Sequence, residues 1–369
     1  MRLKILHIAL VISIIVIQTQ AKAFNFNTDT THHAQQKDLH EGHTTEKFNP
    51  GDFIFDHIKD HYSWHVFTYK GHHYSIPLPV ILYSETQGFT VFMSGKLEHG
   101  HAYKGFTIAH EGDYKDKIIE VNEHGEFLAR PFDISITKNV TAILISYLVL
   151  IILFVSIAKK YKTRHDLPPK GLQSLLEPII LFVRDDIAKN SIGEKHYEKY
   201  TPFLLTIFFF ILINNLLGLF PFFPGGANVT GNITVTLSLA LFTFIVTTFT
   251  GNKHYWKHIF NPPGVPWWLK LPLPLIPFIE LMGVIIKPFV LMIRLFANIS
   301  AGHIIVLGFF SLIFIFGNMS PFLGYAVSPV SIIFTIFMSF LELLVAFIQA
   351  YVFTILSAIY FGMASEEGH

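Results

Sequence analysis

Residues 275–316 read LIPFIELMGVIIKPFVLMIRLFANISAGHIIVLGFFSLIFIF. As a helix, about forty residues span on the order of 60 Å, twice the ~30 Å hydrocarbon core of a bilayer. A run this long and apolar has lipid as its solvent, and it must be strongly tilted, broken or partly outside the membrane. Pro272, Pro274, Pro277 and Pro288 permit breaks. A second long run, from about Val330 to Gly362, follows it. A steeply tilted pair of this kind is no ordinary bundle and suits packing around a curved partner.

Three shorter apolar runs precede the pair, at about Val140–Ala158, Pro202–Phe220 and Ile233–Thr250. Between the first two, Leu175 to Ile187 has apolar residues at helical spacing, with Glu177, Arg184, Asp185 and Asp186 at its edges. That pattern predicts an amphipathic helix lying at the membrane interface. Residues 133–369 are therefore read as an all-α polytopic membrane domain of five spans plus an interfacial helix, the last two spans long and tilted. Composition agrees. Charged residues make up 14% of the 369, against roughly 25% in a soluble domain.

The first 132 residues differ. Arg2 and Lys4 precede the apolar run Ile5–Ile17 and the pattern Ala21-Lys22-Ala23, so residues 1–23 read as a cleaved secretory signal. Residues 24–132 are polar and rich in His. The part up to about Lys47 reads as a flexible linker. From Ile54 to Phe132, short runs such as Trp64–Tyr69 and Phe89–Phe92 alternate with Gly and predict a small β-rich domain. Basic residues set the orientation. Lys159, Lys160, Lys162, Arg164, Lys170, Arg184, Lys189, Lys195 and Lys199 follow the first span, and Lys253, Lys257 and Lys270 follow the third. The stretches Pro221–Asn232 and Gly317–Pro329, read as loops, hold no Lys or Arg. By the positive-inside rule the His-rich domain is outside and the C-terminus cytoplasmic.

Composition also excludes chemistry. With no Cys there are no disulfides, thiolate metal sites or thiol nucleophiles. A net charge of +1 gives no reason to expect a nucleic acid partner. No Gly-x-x-x-x-Gly-Lys-Ser/Thr stretch is present, so nucleotide chemistry is not expected of this chain. His40-Glu-Gly-His43 and His72-His73 are only fragments of zinc-ligand patterns, and no metal or other cofactor is expected.

Function is best sought where charge sits in lipid. An Arg at a helix centre costs roughly 2.5–3.5 kcal/mol, and Arg294 has no acidic residue near it in sequence. Residues seven apart lie within about 20° on a helix, so Glu280, Lys287 and Arg294 share a stripe continued by Ala301, with Asn298 one turn beyond Arg294. His303, nine residues on, falls on about the opposite face. Glu342 and Gln349 share a face of the last helix, where Ser339, Ala346, Ala350 and Ser357 permit close approach. A permanent cation thus sits apart from an imidazole that can titrate near neutrality. Arg does not release its proton in practice, so it suits an electrostatic gate and not a relay. The residues alone leave open a structural ion pair for Arg294, packing for His303, snorkelling for Glu280 and Lys287, and interhelical hydrogen bonding for Gln349.

Arg294-Leu-Phe-Ala-Asn298-Ile-Ser-Ala-Gly302-His303 resembles the signature of the a subunit of rotary ATP synthases, and Gln349–Tyr360 resembles that family's final-helix motif. Asn215–Pro221 and Thr230–Ala240 add support. The resemblance covers about residues 133 to 365. It implies a non-catalytic, proton-conducting stator subunit whose Arg294 faces the carboxylates of a rotating c-subunit ring. Its further partners are the b-subunit peripheral stalk, other synthase subunits and lipid. It also implies two offset aqueous half-channels, with Arg294, Asn298, His303, Glu342 and Gln349 as the proton-translocation residues. The best-known bacterial pattern has Glu where His303 stands and His where Glu342 stands. An exchanged pair makes sense if the two are neighbours, and they are expected to line the outer half-channel together. Ala297 stands where Gly is usual. His303 and Glu342 favour H⁺ over Na⁺. The alternatives are an unrelated channel or a secondary transporter, though the inverted repeats and paired broken helices expected of many transporters are not evident.

Overall fold

The structure, a computed structural model, describes residues 49–69, 72–122, 124–163, 168–220, 223–261 and 275–366. The signal-like stretch, the linker to Lys47, the His40–His43 fragment, Lys270, Pro272 and Pro274 lie outside them.

Among the described residues five helices are long and apolar enough to cross a membrane, and a small β-rich region precedes them. The described residues open with helix α1 (Pro50–Ile58), in a region where sequence predicts strands from Ile54 onward. The reason is local: the Asn49 side chain accepts the Gly51 N–H, and Pro50 sits in the first turn, where its missing N–H costs nothing. Eight short antiparallel strands then form three small sheets. They are β1 (Ser63–Tyr69) with β2 (His72–Pro77), β4 (Gly88–Met93) beside β3 (Pro79–Ser84) beside β8 (Phe132–Asp133), and β5 (Phe106–Ile108), β6 (Ile118–Val121) and β7 (Phe127–Ala129). Tyr62, Val80, Leu82, Phe92, Leu97, Phe106 and Ile118 make their core.

This β-rich domain is stitched to the membrane domain at its first helix, α2 (Lys138–Thr163). A helix N-terminus leaves backbone N–H groups without partners. Here Asp60 supplies acceptors from outside the helix, taking the Asn139 N–H at 2.9 Å and the Thr137 hydroxyl at 2.7 Å. Burial holds the Asp60 carboxyl above its ordinary range, against the pull of those two donors.

After α2 come α3 (Leu172–Leu181), a π-helical stretch (Phe182–Lys189) and a short turn to Ile192. This segment starts where an interfacial helix is expected but runs further, and it packs more deeply: Val183, Ile187 and Ala188 are fully buried against α4 (Tyr197–Leu219) and the last helix. The third span, α5 (Ile233–Thr250), has the expected bounds, and Asn232 caps it through the Thr234 N–H. A short amphipathic helix not foreseen from sequence, α6 (Lys253–Phe260), follows with Asn252 as its cap.

The last two helices, α7 (Leu275–Met319) and α8 (Pro321–Ser365), have 45 residues each. At about 67 Å apiece they are twice as long as a bilayer core is thick. Pro288 and Pro329 lie inside them without ending them. The expected loop 317–329 is a correction: the chain reverses at Ser320 alone. Ser320 is extended, Pro321 starts the next helix, and Gly324 lies so close to Gly317 that a Cβ on Gly324 would come within 2.8 Å of the Gly317 Cα. Two glycines let the helices meet backbone to backbone, so no loop is needed. The Ser331 hydroxyl then donates to the Phe309 carbonyl, and Phe309 stacks on Phe334.

Candidate functional site

The site forms where α4, α5, α7 and α8 meet, and each helix contributes for a visible reason. Leu291, Met292, Leu295 and Ile299 bury one side of α7. Arg294, Asn298 and Ala301 are thereby left exposed on its other side. Among the described residues Arg294 makes no ion pair; Tyr360 of α8 lies within its electrostatic reach. The stripe predicted for Glu280, Lys287, Arg294 and Ala301 is graded in burial: Glu280 and Lys287 are half-buried, the other two exposed. The Lys287 ammonium lies 5.5 Å from the centre of the Tyr360 ring, a cation–π contact.

His303 points away from that face, toward α8. Its Nδ1 lies 2.7 Å from Glu342 Oε1, with the side chains 16% and 6% exposed. The distance is that of an ion pair, but no hydrogen bond of proper direction reaches this carboxylate oxygen. Gly302 makes the contact possible. A Cβ there would stand 2.9 Å from Glu342 Oε1 and 3.2 Å from two further atoms of that side chain. Gly302→Ala must therefore displace Glu342, and ATP-driven proton pumping in vesicles should fall on the order of tenfold at unchanged complex yield, since about 1 Å of misplacement costs this much or more. Pumping at the native rate would show that the contact does not matter.

Gln349, two turns beyond Glu342, is buried, as are Ala346, Ala350 and Ser357; Ser339 is exposed and contributes nothing to close approach. The structure thus brings His303 and Glu342 together and separates both from Arg294. Nine residue steps of helix, about 13.5 Å, separate Arg294 from His303 along α7.

Around the pair is a buried polar set to which the sequence reading gave no site role, although Asn215 and Thr230 begin two of the stretches that support the resemblance. Asn215 donates to the Ala346 carbonyl at 3.1 Å and accepts from the Thr230 hydroxyl at 2.5 Å. Asn214 donates to Ser146 of α2 at 3.1 Å. Asn228 is 5% exposed, and neither polar atom of its side chain has a partner. Ser300 donates to the Gly231 carbonyl. Buried polar atoms without partners are costly unless water reaches them. The signal in the sequence was the density of Asn and Thr at one end of α4 and in the stretch after it. A cleft lies toward the other end of the bundle, lined by Thr243, Thr247, Tyr255, Lys287 and Tyr360.

Comparison with known proteins places this arrangement. Residues 140–362 match the family described as ATP synthase A chain. The chain belongs to the ATP synthase A chain family. The β-rich region matches separately, at residues 53–134, a family described as a domain of unknown function (DUF8433). Similar proteins include ATP synthase subunit a of Chloroherpeton thalassium, 38% identical over 76% of this chain and 88% of that one. That of Chlorobium phaeobacteroides is 41% identical over 73% and 79%, and that of Myxococcus xanthus is 40% identical over 68% and 80%. Membership makes the chain a multi-pass membrane component of an ATP synthase complex. Within the ATP synthase A chain match fall all of Arg294, Asn298, His303, Glu342 and Gln349.

Proposed function

We propose that this chain is the proton-conducting stator subunit of the synthase membrane sector and that it does no bond chemistry itself. Its five spans carry two half-channels against a rotating ring of c subunits, and proton flow between them drives ATP synthesis elsewhere in the complex. The observation that carries this reading is the exposed Arg294, without an ion pair among the described residues, on a helix where an uncompensated charge is expensive. Such a group needs an anion from another polypeptide, and a carboxylate carried past it by a ring supplies one.

The remaining geometry fits. On the domain-bearing side, taken as periplasmic from the basic loops, the His303–Glu342 pair and the partnerless Asn228 form a polar inlet. Toward the cytoplasmic side, the cleft at Thr247, Lys287 and Tyr360 is the counterpart. A proton entering by the pair neutralises a ring carboxylate, which then rotates into lipid. It leaves on the far side after nearly a full turn. Arg294 favours the ionised form of each arriving carboxylate and, by its fixed charge, keeps protons from passing directly between inlets. Asn298 and Gln349 are polar groups flanking that crossing. Residues 24–132 form a periplasmic domain behind a signal at 1–23, and the b-subunit stalk holds the chain against the ring.

The absence of Cys provides a clean test. A single cysteine at Ala301 (Ala301→Cys), in the exposed stripe, should form a disulfide with a cysteine placed beside the ring carboxylate. One at Ala346 (Ala346→Cys), which is buried between helices, should not. Failure of the Ala301 variant to cross-link to the ring in the assembled complex would remove the basis of the reading.

A further inference from the structure

The stretch after α4 does not hang free at the membrane surface. It folds back over the helix end: the Gly226 N–H donates to the Leu217 carbonyl at 3.1 Å, and Thr230 reaches Asn215. Gly231 is held by Ser300 of α7. Through this fold the Ala227 carbonyl comes to lie over Gly218, where a Cβ would meet it at 3.4 Å and the His303 Nε2 at 3.6 Å. The His303 imidazole thus sits in a space floored by Gly218 and shaped by residues 223–232.

Phe223 lies in that stretch, and its ring is met edge-on by Trp64 of β1, with centroids 5.2 Å apart. Trp64 is 2% exposed and belongs to the membrane domain's core, not to that of its own sheet. The β-rich domain is also fixed at two other points. Asp60 caps α2, and α1 packs against α7, the helix that carries His303. The domain therefore grips three parts of the inlet's surroundings at once: the start of α2, the stretch after α4, and α7.

We propose that the β-rich domain is a positioning element of the outer proton inlet and that Trp64 is its positioning residue, acting through Phe223 and residues 223–232 on the space around His303. This rests on the reading of the His303 side as the proton entry. An assembly module would need only an outward surface for partners. A tryptophan buried in the membrane domain's hydrophobic core and edge-on to half-exposed Phe223, in the stretch that shapes the space around His303, is placed to set the inlet's shape.

The test uses the assembled complex in vesicles, with ATP synthesis measured at fixed membrane potential while pH is varied on one side at a time. Trp64→Ala should lower synthesis on the order of tenfold when protons on the entry side are scarce. It should also move the half-maximal entry-side pH downward and leave the exit-side dependence unchanged. Trp64→Phe should stay near the parent. Phe223→Leu approaches the same contact from the other side and should reproduce the shift if Trp64→Ala does not assemble. Parent-like entry-side profiles in both Trp64→Ala and Phe223→Leu, or equal changes on both sides, would overturn the proposal. Arg294→Ala in the same vesicles keeps the two readings separate. Activity surviving there defeats the channel reading itself, whereas a dead Arg294 variant beside parent-like Trp64 and Phe223 profiles defeats only this one.

Discussion

Replacing Arg294 with Ala should abolish both ATP-driven proton pumping and proton-driven synthesis while leaving the amount of assembled complex unchanged. Both halves follow from where the side chain is. A structural arginine in a membrane is buried and paired, and removing it damages packing. Arg294 is exposed and, among the described residues, makes no ion pair, so within this chain its loss removes a liability of roughly 2.5–3.5 kcal/mol and nothing that holds helices together. The functional loss should be at least two orders of magnitude, about 2.7 kcal/mol in barrier terms. Without the fixed charge nothing favours release of the proton from the arriving ring carboxylate, and nothing bars direct passage between the inlets. Passive proton leak through the membrane sector, with the catalytic head stripped off, should rise in the same variant. Arg294→Lys keeps a charge but not a permanent one, since an ammonium gives up its proton far more readily than a guanidinium. It should behave much more like the Ala variant than like the parent. Fluorescence-quench assays of pumping in inverted vesicles read both outcomes. Near-parent pumping by Arg294→Ala would leave the channel reading without its central element.

What could be read in the sequence follows the strength of each physical signal. The five spans are legible because exclusion from water acts on every residue of a long run, so α5 was placed to the residue. Ends are set by single contacts, and there the reading failed. Gly317, Gly324 and Pro329 look like loop residues, yet in α7 and α8 the glycines serve close packing and the proline sits inside a helix. Likewise Asn49-Pro50 and Asn252 are helix-start signals, overshadowed by a β-rich neighbourhood in one case and by the polar surroundings of α6 in the other. The polar faces of the last two helices were legible because helical period fixes which residues share a side, and burial of Glu342 and Gln349 follows that period. The neighbours of those faces were not. Nothing local tells Asn214 that it will meet Ser146, sixty-eight residues away, or Trp64 that it will meet Phe223. Contacts between distant elements depend on how helices pack, and one chain's periodicity does not encode that.

The exchange of His303 and Glu342 relative to the best-known bacterial pattern leads to the second large effect. The two side chains are 2.7 Å apart and nearly enclosed. His303→Ala should cut proton-driven synthesis at least tenfold, because a buried carboxylate stripped of its partner is penalised by about 3–5 kcal/mol and exchanges protons poorly. Glu342→Gln should cost as much by a different route, since it removes a group able to take up and release a proton at all. The double variant His303→Glu with Glu342→His restores one imidazole and one carboxylate in the opposite order. If the site works as a pair, the double variant should recover to within several-fold of the parent, far above either single variant, and the coupling in a double-mutant cycle should be large and favourable. Recovery has one geometric limit. Glu342 lies against Gly302, and an imidazole in its place needs the same clearance, so the rescue should vanish when Gly302→Ala is added. Additive losses in the double variant would mean that the two residues act separately and that their contact is packing alone.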